Sequence, residues 1–479
     1  MRSFSILAFV ALAVPVIGCG SSSDGLFASG GTPGAGGSGG GAAGAGGSGG
    51  GAAGAGGAGG GCDTQSCNEP PPAACADGST VITYESQGAC SDGSCSYPSS
   101  TTPCDAPPPP ACNDDGSLRT YSSAGTCTDG ACSYEPMDAD CGAAGCCEDH
   151  CCELEPSNAD TLGPLEQTGL VISAPQGTFD TSTGCITPSV LGNCKVVAQA
   201  AGAPEVCVCR ADELTINSLT IAGKRALAIF AVRSVTVGEI IVKPGAGIGW
   251  KYTNSDANAA SGGSYGTTGG NVGAPTQGTP AIVPLNGGMN GQDSYDWGGD
   301  GGGAIQISAG QMITIDIGIN AGGQGGRPGL ALGGSSGGAG GGSGGAILLE
   351  APSILMQGKL SANGGGGGGG SSNQHGTGTS GLAGGGTTAA SGGSGLDGWG
   401  CALNGYTSGG DGGQGSVFDG NGKSGETGST IYGCLGGTES VGKGGGGGGA
   451  GRIRINTLNG CNCSGVTSPS ASIGTVVLK

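Results

Sequence analysis

Gly303-Ala304-Ile305-Gln306-Ile307-Ser308-Ala309 recurs as Gly345-Ala346-Ile347-Leu348-Leu349-Glu350-Ala351, and in part as Gly451-Arg452-Ile453-Arg454-Ile455-Asn456-Thr457. The first copy continues through Ile313, Ile315, Ile317 and Ile319 to Ala321, and the second through Ile354, Met356 and Leu360 to Ala362. Apolar residues at every second position mark β-strands, whose side chains alternate between two faces. Two or three short strands within roughly twenty residues suit one coil of a parallel β-solenoid, whose neighbouring coils hydrogen-bond in register. One such coil has too little apolar area to fold alone, so the copies must share a core. Ile305, Ile307, Ile347, Leu349, Ile453 and Ile455 are therefore expected to stack inward on adjacent parallel strands. The expected fold is mainly β, with parallel solenoid-like coils and long glycine-rich inserts; a jelly roll or other β-sandwich is the competing architecture.

Upstream, Leu214 to Ile221 and Leu227 to Val242 show the same alternation, with Ile229, Val235, Val237 and Ile240 as expected inward residues. Between the coils lie glycine-rich inserts near 245–302, 322–344 and 364–449. Loops of that length are usually functional or disordered. Runs such as Gly364–Gly370 and Gly444–Gly449 have an alternative, packing side by side as polyproline-II-like strands with no Cβ between them. The coil-plus-insert pattern resembles the glycine-rich extracellular domain of the anaplastic lymphoma kinase receptor family, over the last half of the chain. The whole layout resembles the cysteine- and glycine-rich surface lipoproteins of myxobacteria. Neither resemblance carries over any catalytic residue.

The 62–160 segment is a different texture, a cysteine-rich module with an internal repeat. Cys75, Cys90, Cys95 and Cys104 return 37 residues later as Cys112, Cys127, Cys132 and Cys141, and Cys-x-Asp-Gly-x-Cys-x-Tyr occurs twice. Asp92-Gly93 and Asp129-Gly130 signal tight turns between extended segments. Each unit reads as a small knot stapled by its own four cysteines, in any of three pairings.

Before this module, residues 20–61 are a Gly/Ala/Ser tether containing a repeated decapeptide at Gly34 and Gly44, with no apolar face to bury. Residues 1–19 read as a secretion signal: Arg2, an apolar stretch from Ile6 to Ile17, then Val16-Ile17-Gly18-Cys19. That ending resembles a bacterial lipobox, which implies acylation at Cys19, a membrane partner through the lipid, and a mature chain beginning there. Gly20 in place of the inner-membrane aspartate points to the outer membrane or cell surface. The glycine-rich β domain then occupies 161–479.

Composition agrees with an exported protein. Of 23 cysteines the lipid would use one, leaving an even number for the disulfides that thin-cored secreted domains rely on. Glycine contributes 116 residues, and the net charge is −19, which opposes binding to nucleic acid phosphates.

The chemistry-bearing residues are few. His150 sits among Cys146, Cys147, Cys151 and Cys152, a candidate metal set whose alternative is further disulfides. His375 lies in a glycine insert, so no nucleophilic triad is expected. Asp293, Asp296, Asp300, Asp397 and Asp411 lie in inserts; no catalytic residue or cofactor is expected from them, although loosely bound Ca2+ is compatible. The stretch from Asp419 opens like a calcium loop but fails at Lys423, Ser424 and Thr430. Aromatic residues gather in the inserts: Trp250, Trp297, Trp399, Tyr295 and Tyr406 are candidate ligand contacts, because aromatic faces stack on sugar rings and anchor protein interfaces. The expected role is a structural, adhesive or matrix-interacting surface lipoprotein, meeting extracellular polysaccharide or surface proteins. The alternatives are a carbohydrate-binding surface protein and a β-helix polysaccharide-degrading enzyme.

Overall fold

The computed structural model describes residues 67–174, 176–185, 189–200, 203–247, 260–271, 275–294, 296–330, 336–371, 379–385, 387–395, 397–399, 406–408, 414–417, 420–427, 442–458 and 460–479. The secretion signal, Cys19 and the tether lie outside the described residues.

The repeated segments form successive rungs of one parallel sheet. Val206–Ala222 and Ala226–Val242 are continuous neighbouring strands, followed in the sheet by three broken copies at 304–320, 346–361 and 452–468. Register is set by the alternation. Leu227, Ile305, Ile347 and Ile453 lie side by side, as do Ile229, Ile307, Leu349 and Ile455. All six expected stacking residues are fully buried in one core. The second half of each rung repeats the device, with Val235 beside Ile313 and Ile354, and Ile240 beside Ile319 and Leu360. Both halves feed the same core because the rungs bend between them and the sheet curls into a half-barrel. A jelly roll is overturned by this pairing, since its neighbouring strands run antiparallel. In the fourteen-stranded sheet only Asn193–Val197 pairs antiparallel among the described strands.

At the first rung the core is closed by sulfur. Cys207 and Cys209, two residues apart on one face, form disulfides with Cys185 and Cys194. The opposite face of the first half-rungs is covered as well, by Leu162 and by Tyr265, Ile282 and Leu285 from the first insert. Burial on both faces explains why Ala346 to Leu349 reads as a continuous apolar run, as buried parallel strands do.

The glycine runs are ordered, and hydrogen bonds recur every third residue. The N–H groups of Gly365, Gly368 and Ser371 donate to the carbonyls of Gly342, Ala339 and Ser336, an antiparallel neighbour. The carbonyls of the same three residues accept from Gly448, Gly445 and Gly442. Gly366 and Gly369 donate instead to Leu382 and Thr379, while their carbonyls accept from Gly326 and Gly329. A step of three is the polyproline-II repeat, so successive residues of one segment face different neighbours. The runs form a bundle of extended helices rather than loops. From Gly345, beside the sheet, to Ser336 the segment rises roughly 28 Å at about 3.1 Å per residue. At its glycine positions the bundle admits no side chain: a Cβ on Gly368 would lie 1.9 Å from the Arg327 carbonyl oxygen, and one on Gly344 1.8 Å from that of Ala362.

In the cysteine-rich module, Asp92-Gly93 and Asp129-Gly130 turn the hairpins Ala89–Ser91/Ser94–Ser96 and Thr126–Thr128/Ala131–Ser133 with positive φ at all four residues. Both central residues at positive φ are what a two-residue hairpin turn requires. The expectation of self-contained four-cysteine units is overturned. The pairs are Cys67–Cys95, Cys75–Cys127, Cys104–Cys132 and Cys112–Cys146, so every staple leaves its unit. Cys90 is also disulfide-bonded, and its three unit mates are all taken by other cysteines. Within a hairpin Cys90 and Cys95 face each other across the strands, but each bonds outward, Cys95 to Cys67 ahead of the first strand. The module is thus an interlocked ribbon. Its last strand, Leu154–Glu155, pairs with Val477–Leu478 and holds the chain's end against the β domain.

Candidate functional site

Chemistry concentrates in three places among the described residues. The first is a row on the outward face of the sheet. Arg210, Phe230, Ser308, Glu350 and Asn456 occupy one register line across five neighbouring strands. The segment around the short helix Ala159–Leu162 covers this line. The Glu350 carboxylate, 2% exposed, accepts hydrogen bonds from Gln306, Ser308 and Asn456 at 2.9 Å each, and from the Ser157 hydroxyl and backbone N–H. Asn158 extends the network by donating from its Nδ2 to the Gln306 Oε1 at 2.9 Å. Arg210 donates to the Leu162 carbonyl at 2.7 Å and lies over the Phe230 ring at 5.5 Å. Burial pulls its pKa down and the nearby Glu166 opposes that shift.

Charged groups removed from water survive when their bonding capacity is filled. That is the state of Glu350, on whose oxygens the donors of Ser157, Gln306, Ser308 and Asn456 converge, stitching the covering segment to the sheet. Glu350→Gln should therefore destabilise the fold by about 1–3 kcal/mol, because its amide N–H2 would confront donors rather than acceptors. Urea unfolding monitored by circular dichroism measures this. A midpoint equal to that of the parent would show the network to be dispensable.

The second place is the end of the cysteine-rich module. Cys146, Cys147, Cys151 and Cys152 are all in disulfides, with Cys112, Cys152, Cys141 and Cys147 respectively. In this oxidised state they offer no thiolate to a metal. His150 is exposed and its Nδ1 lies 3.0 Å from Asp149 Oδ1, which raises the imidazole pKa. A cavity of about 260 Å3 lies between this end and the sheet, lined by Asp140, Cys141, Leu154, Leu165, Val232 and Gln311. Cys194, Cys207 and Cys209 also bring three sulfurs within 4.8 Å of one another, and all three are disulfide-bonded.

The third place is the glycine bundle. Trp297 is 70% exposed, on a turn whose neighbours are the acids Asp293 and Asp296. Trp399 and Tyr406 lie opposite each other on the paired strands Asp397–Trp399 and Tyr406–Ser408. Trp250, Tyr295, His375 and Asp411 fall outside the described residues. Tyr265 is fully buried, with its hydroxyl donating to the Asn286 carbonyl at 2.9 Å and the Arg452 guanidinium over its ring. Burial drives its phenol pKa upward. That tyrosine packs the insert onto the sheet instead of presenting a face.

The sequence signalled Trp297 but not the Glu350 row. Glu350 and Asn456 occupy the same position of two repeat copies, with Ser308 in the third, and that periodicity was the available signal. No family model, curated protein or solved structure matches the chain. No helix among the described residues is long and apolar enough to cross a membrane.

Proposed function

We propose that the chain is an exported lipoprotein, held at the outer membrane or cell surface by a lipid on Cys19, with a structural, adhesive or matrix-interaction role and no catalysis. The observation that carries this reading is the disulfide ribbon: every described cysteine is oxidised, the state favoured outside the cytoplasm. The glycine bundle supports it. A closely hydrogen-bonded body built mainly of glycine suits a stiff display element, and the tether would stand it off the membrane. Each rung with its insert is then one coil of an open solenoid. A carbohydrate-binding role is the second reading, favoured by the exposed Trp297.

Cys19→Ser tests the anchor. Several acyl chains hold a protein on a membrane durably, since each buried methylene contributes about 0.8 kcal/mol. The variant should leave the membrane fraction or accumulate as unprocessed precursor, and should lose labelling by a fatty-acid probe. Processing and membrane retention equal to the parent would sink the lipoprotein reading.

A further inference from the structure

We propose that the cavity between the end of the cysteine-rich module and the sheet is a binding site for a small alkylammonium ligand. Two parts of the chain build its walls. The module contributes Cys141, Ala144 and Cys152, each at most 9% exposed, and the disulfides Cys141–Cys151 and Cys147–Cys152 fix them in place. The sheet contributes Val232, Gly310 and Gln311, from the bend between the two halves of neighbouring rungs. There the Gly310 N–H donates to the Ala231 carbonyl at 3.0 Å and the Gln311 N–H to the Arg233 carbonyl at 2.8 Å. A Cβ on Gly310 would lie 2.1 Å from the Val232 carbonyl oxygen, so the bend is shaped for glycine. Disulfides on one side and sheet backbone on the other define the cavity before any ligand arrives, and preorganisation lowers the cost of binding.

The lining divides by chemistry. Leu154, Leu165, Val232 and the cystine sulfurs supply an apolar, polarisable wall. Asp140 and Glu153 are the charged residues among the described lining, and both are acids. Asp140 Oδ1 accepts from the Gly142 N–H at 2.8 Å, which holds that carboxylate beside the turn. A Cβ on Gly142 would lie 3.1 Å from Gln311 Nε2, so the amide from the sheet meets the same turn. Arg233, next to Val232 in the chain, is turned to Glu213 at 2.7 Å. An apolar wall beside carboxylates and side-chain amides matches an ammonium group on a short hydrocarbon stem. The carbons lie against leucine, valine and cystine, and the N–H donors meet carboxylate and amide oxygens. A calcium ion fits less well, because it takes about 6–8 oxygen ligands and gains nothing from a hydrocarbon wall. An anion would meet two like charges, on a chain of net charge −19. The volume of about 260 Å3 is below the roughly 300–1,000 Å3 of pockets for drug-sized molecules, so the ligand is small.

The site stands independently of any membrane anchor or polysaccharide. Its test uses the purified, oxidised full chain at neutral pH, with n-butylammonium as the probe and saturation-transfer difference NMR as the readout. The expected result is saturable binding with a Kd on the order of 1 mM, and no transfer to butyrate. Asp140→Asn combined with Glu153→Gln should weaken binding of n-butylammonium about tenfold. Both residues are exposed and asparagine still accepts from the Gly142 N–H, so the thermal melt of the double variant should match the parent. Glu153→Gln alone should already weaken binding about threefold, and it leaves the Gly142 turn untouched. Absence of transfer to n-butylammonium in the parent overturns the proposal, as does parental affinity in both variants. Binding of 1-butanol as tight as that of n-butylammonium overturns the cationic assignment. Displacement of the probe by calcium chloride, but not by sodium chloride at the same ionic strength, gives the carboxylates to a divalent cation and overturns it as well.

Discussion

Replacing Ile347 with aspartate should abolish cooperative folding of the whole parallel sheet, not of one rung. Ile347 is fully buried, with Ile305 beside it on one strand and Ile453 on the other. Loss of the side chain's burial costs roughly 1.5–3 kcal/mol, and an unpaired carboxylate in an apolar stack costs several more. Native domains are stable by only about 5–15 kcal/mol, so this single change approaches the total. The rungs cannot fail independently, since residues from the first strand to the last share one core. The expected result is loss of near-ultraviolet circular dichroism and of any sharp melting transition, with the disulfide ribbon still oxidised. An exposed position on the same sheet provides the control: Ile317→Asp, at a side chain 61% exposed, should melt within about 1 kcal/mol of the parent. A cooperative melt of Ile347→Asp near the parental midpoint would mean that the stacks do not hold the sheet.

The stacking residues were legible because alternation and repetition are both local signals. A period of two assigns faces, and three copies of one pattern assign neighbours, so Ile305, Ile347 and Ile453 could be aligned before any coordinates. The Asp-Gly turns were legible for the same reason, since a two-residue turn depends on its own φ angles. Disulfide partners are different. The 37-residue repeat suggested closure within each unit, yet Cys75 bonds Cys127 and Cys104 bonds Cys132. Spacing cannot show that a hairpin's two cysteines face each other and still bond outward, because that depends on how hairpins stack. The Glu350 row was hidden for a related reason. Its covering segment comes from residues near 157, almost two hundred positions away in sequence, with a Ser157–Glu350 separation of 193. The aromatics of the inserts divide on the same principle. Composition placed them all in glycine inserts, but only packing separates the buried Tyr265 from the exposed Trp297.

The glycine bundle yields the second large effect, and it runs against the usual expectation. Glycine to alanine, where the backbone permits it, commonly stabilises a protein by about 0.4–1 kcal/mol by restricting the unfolded chain. Gly368 is absent from the glycines with positive φ, so its backbone alone would admit alanine. Its surroundings would not. The added methyl would lie 1.9 Å from the Arg327 carbonyl oxygen and 2.5 Å from its carbon, with backbone atoms that cannot rotate away. To admit it, the 364–371 segment must separate from the 326–329 segment. That strains the bonds from Gly326 and Gly329 to Gly366 and Gly369, and then those from Gly368 to Ala339 and from Gly445 to Gly368. Overpacking costs about 1–3 kcal/mol, and each hydrogen bond lost inside the bundle roughly 0.5–1.5 more. Gly368→Ala should therefore destabilise by about 3 kcal/mol or more, measured as a fall in urea midpoint. Gly78→Ala is the matched control, because nothing lies within 4 Å of the added methyl there, and it should leave the midpoint unchanged or raise it. The contrast separates two roles for the same residue. If both variants unfold alike, the glycine runs are spacers whose neighbours are interchangeable; if only Gly368→Ala fails, the runs are a packed body in which the missing Cβ is the condition for assembly.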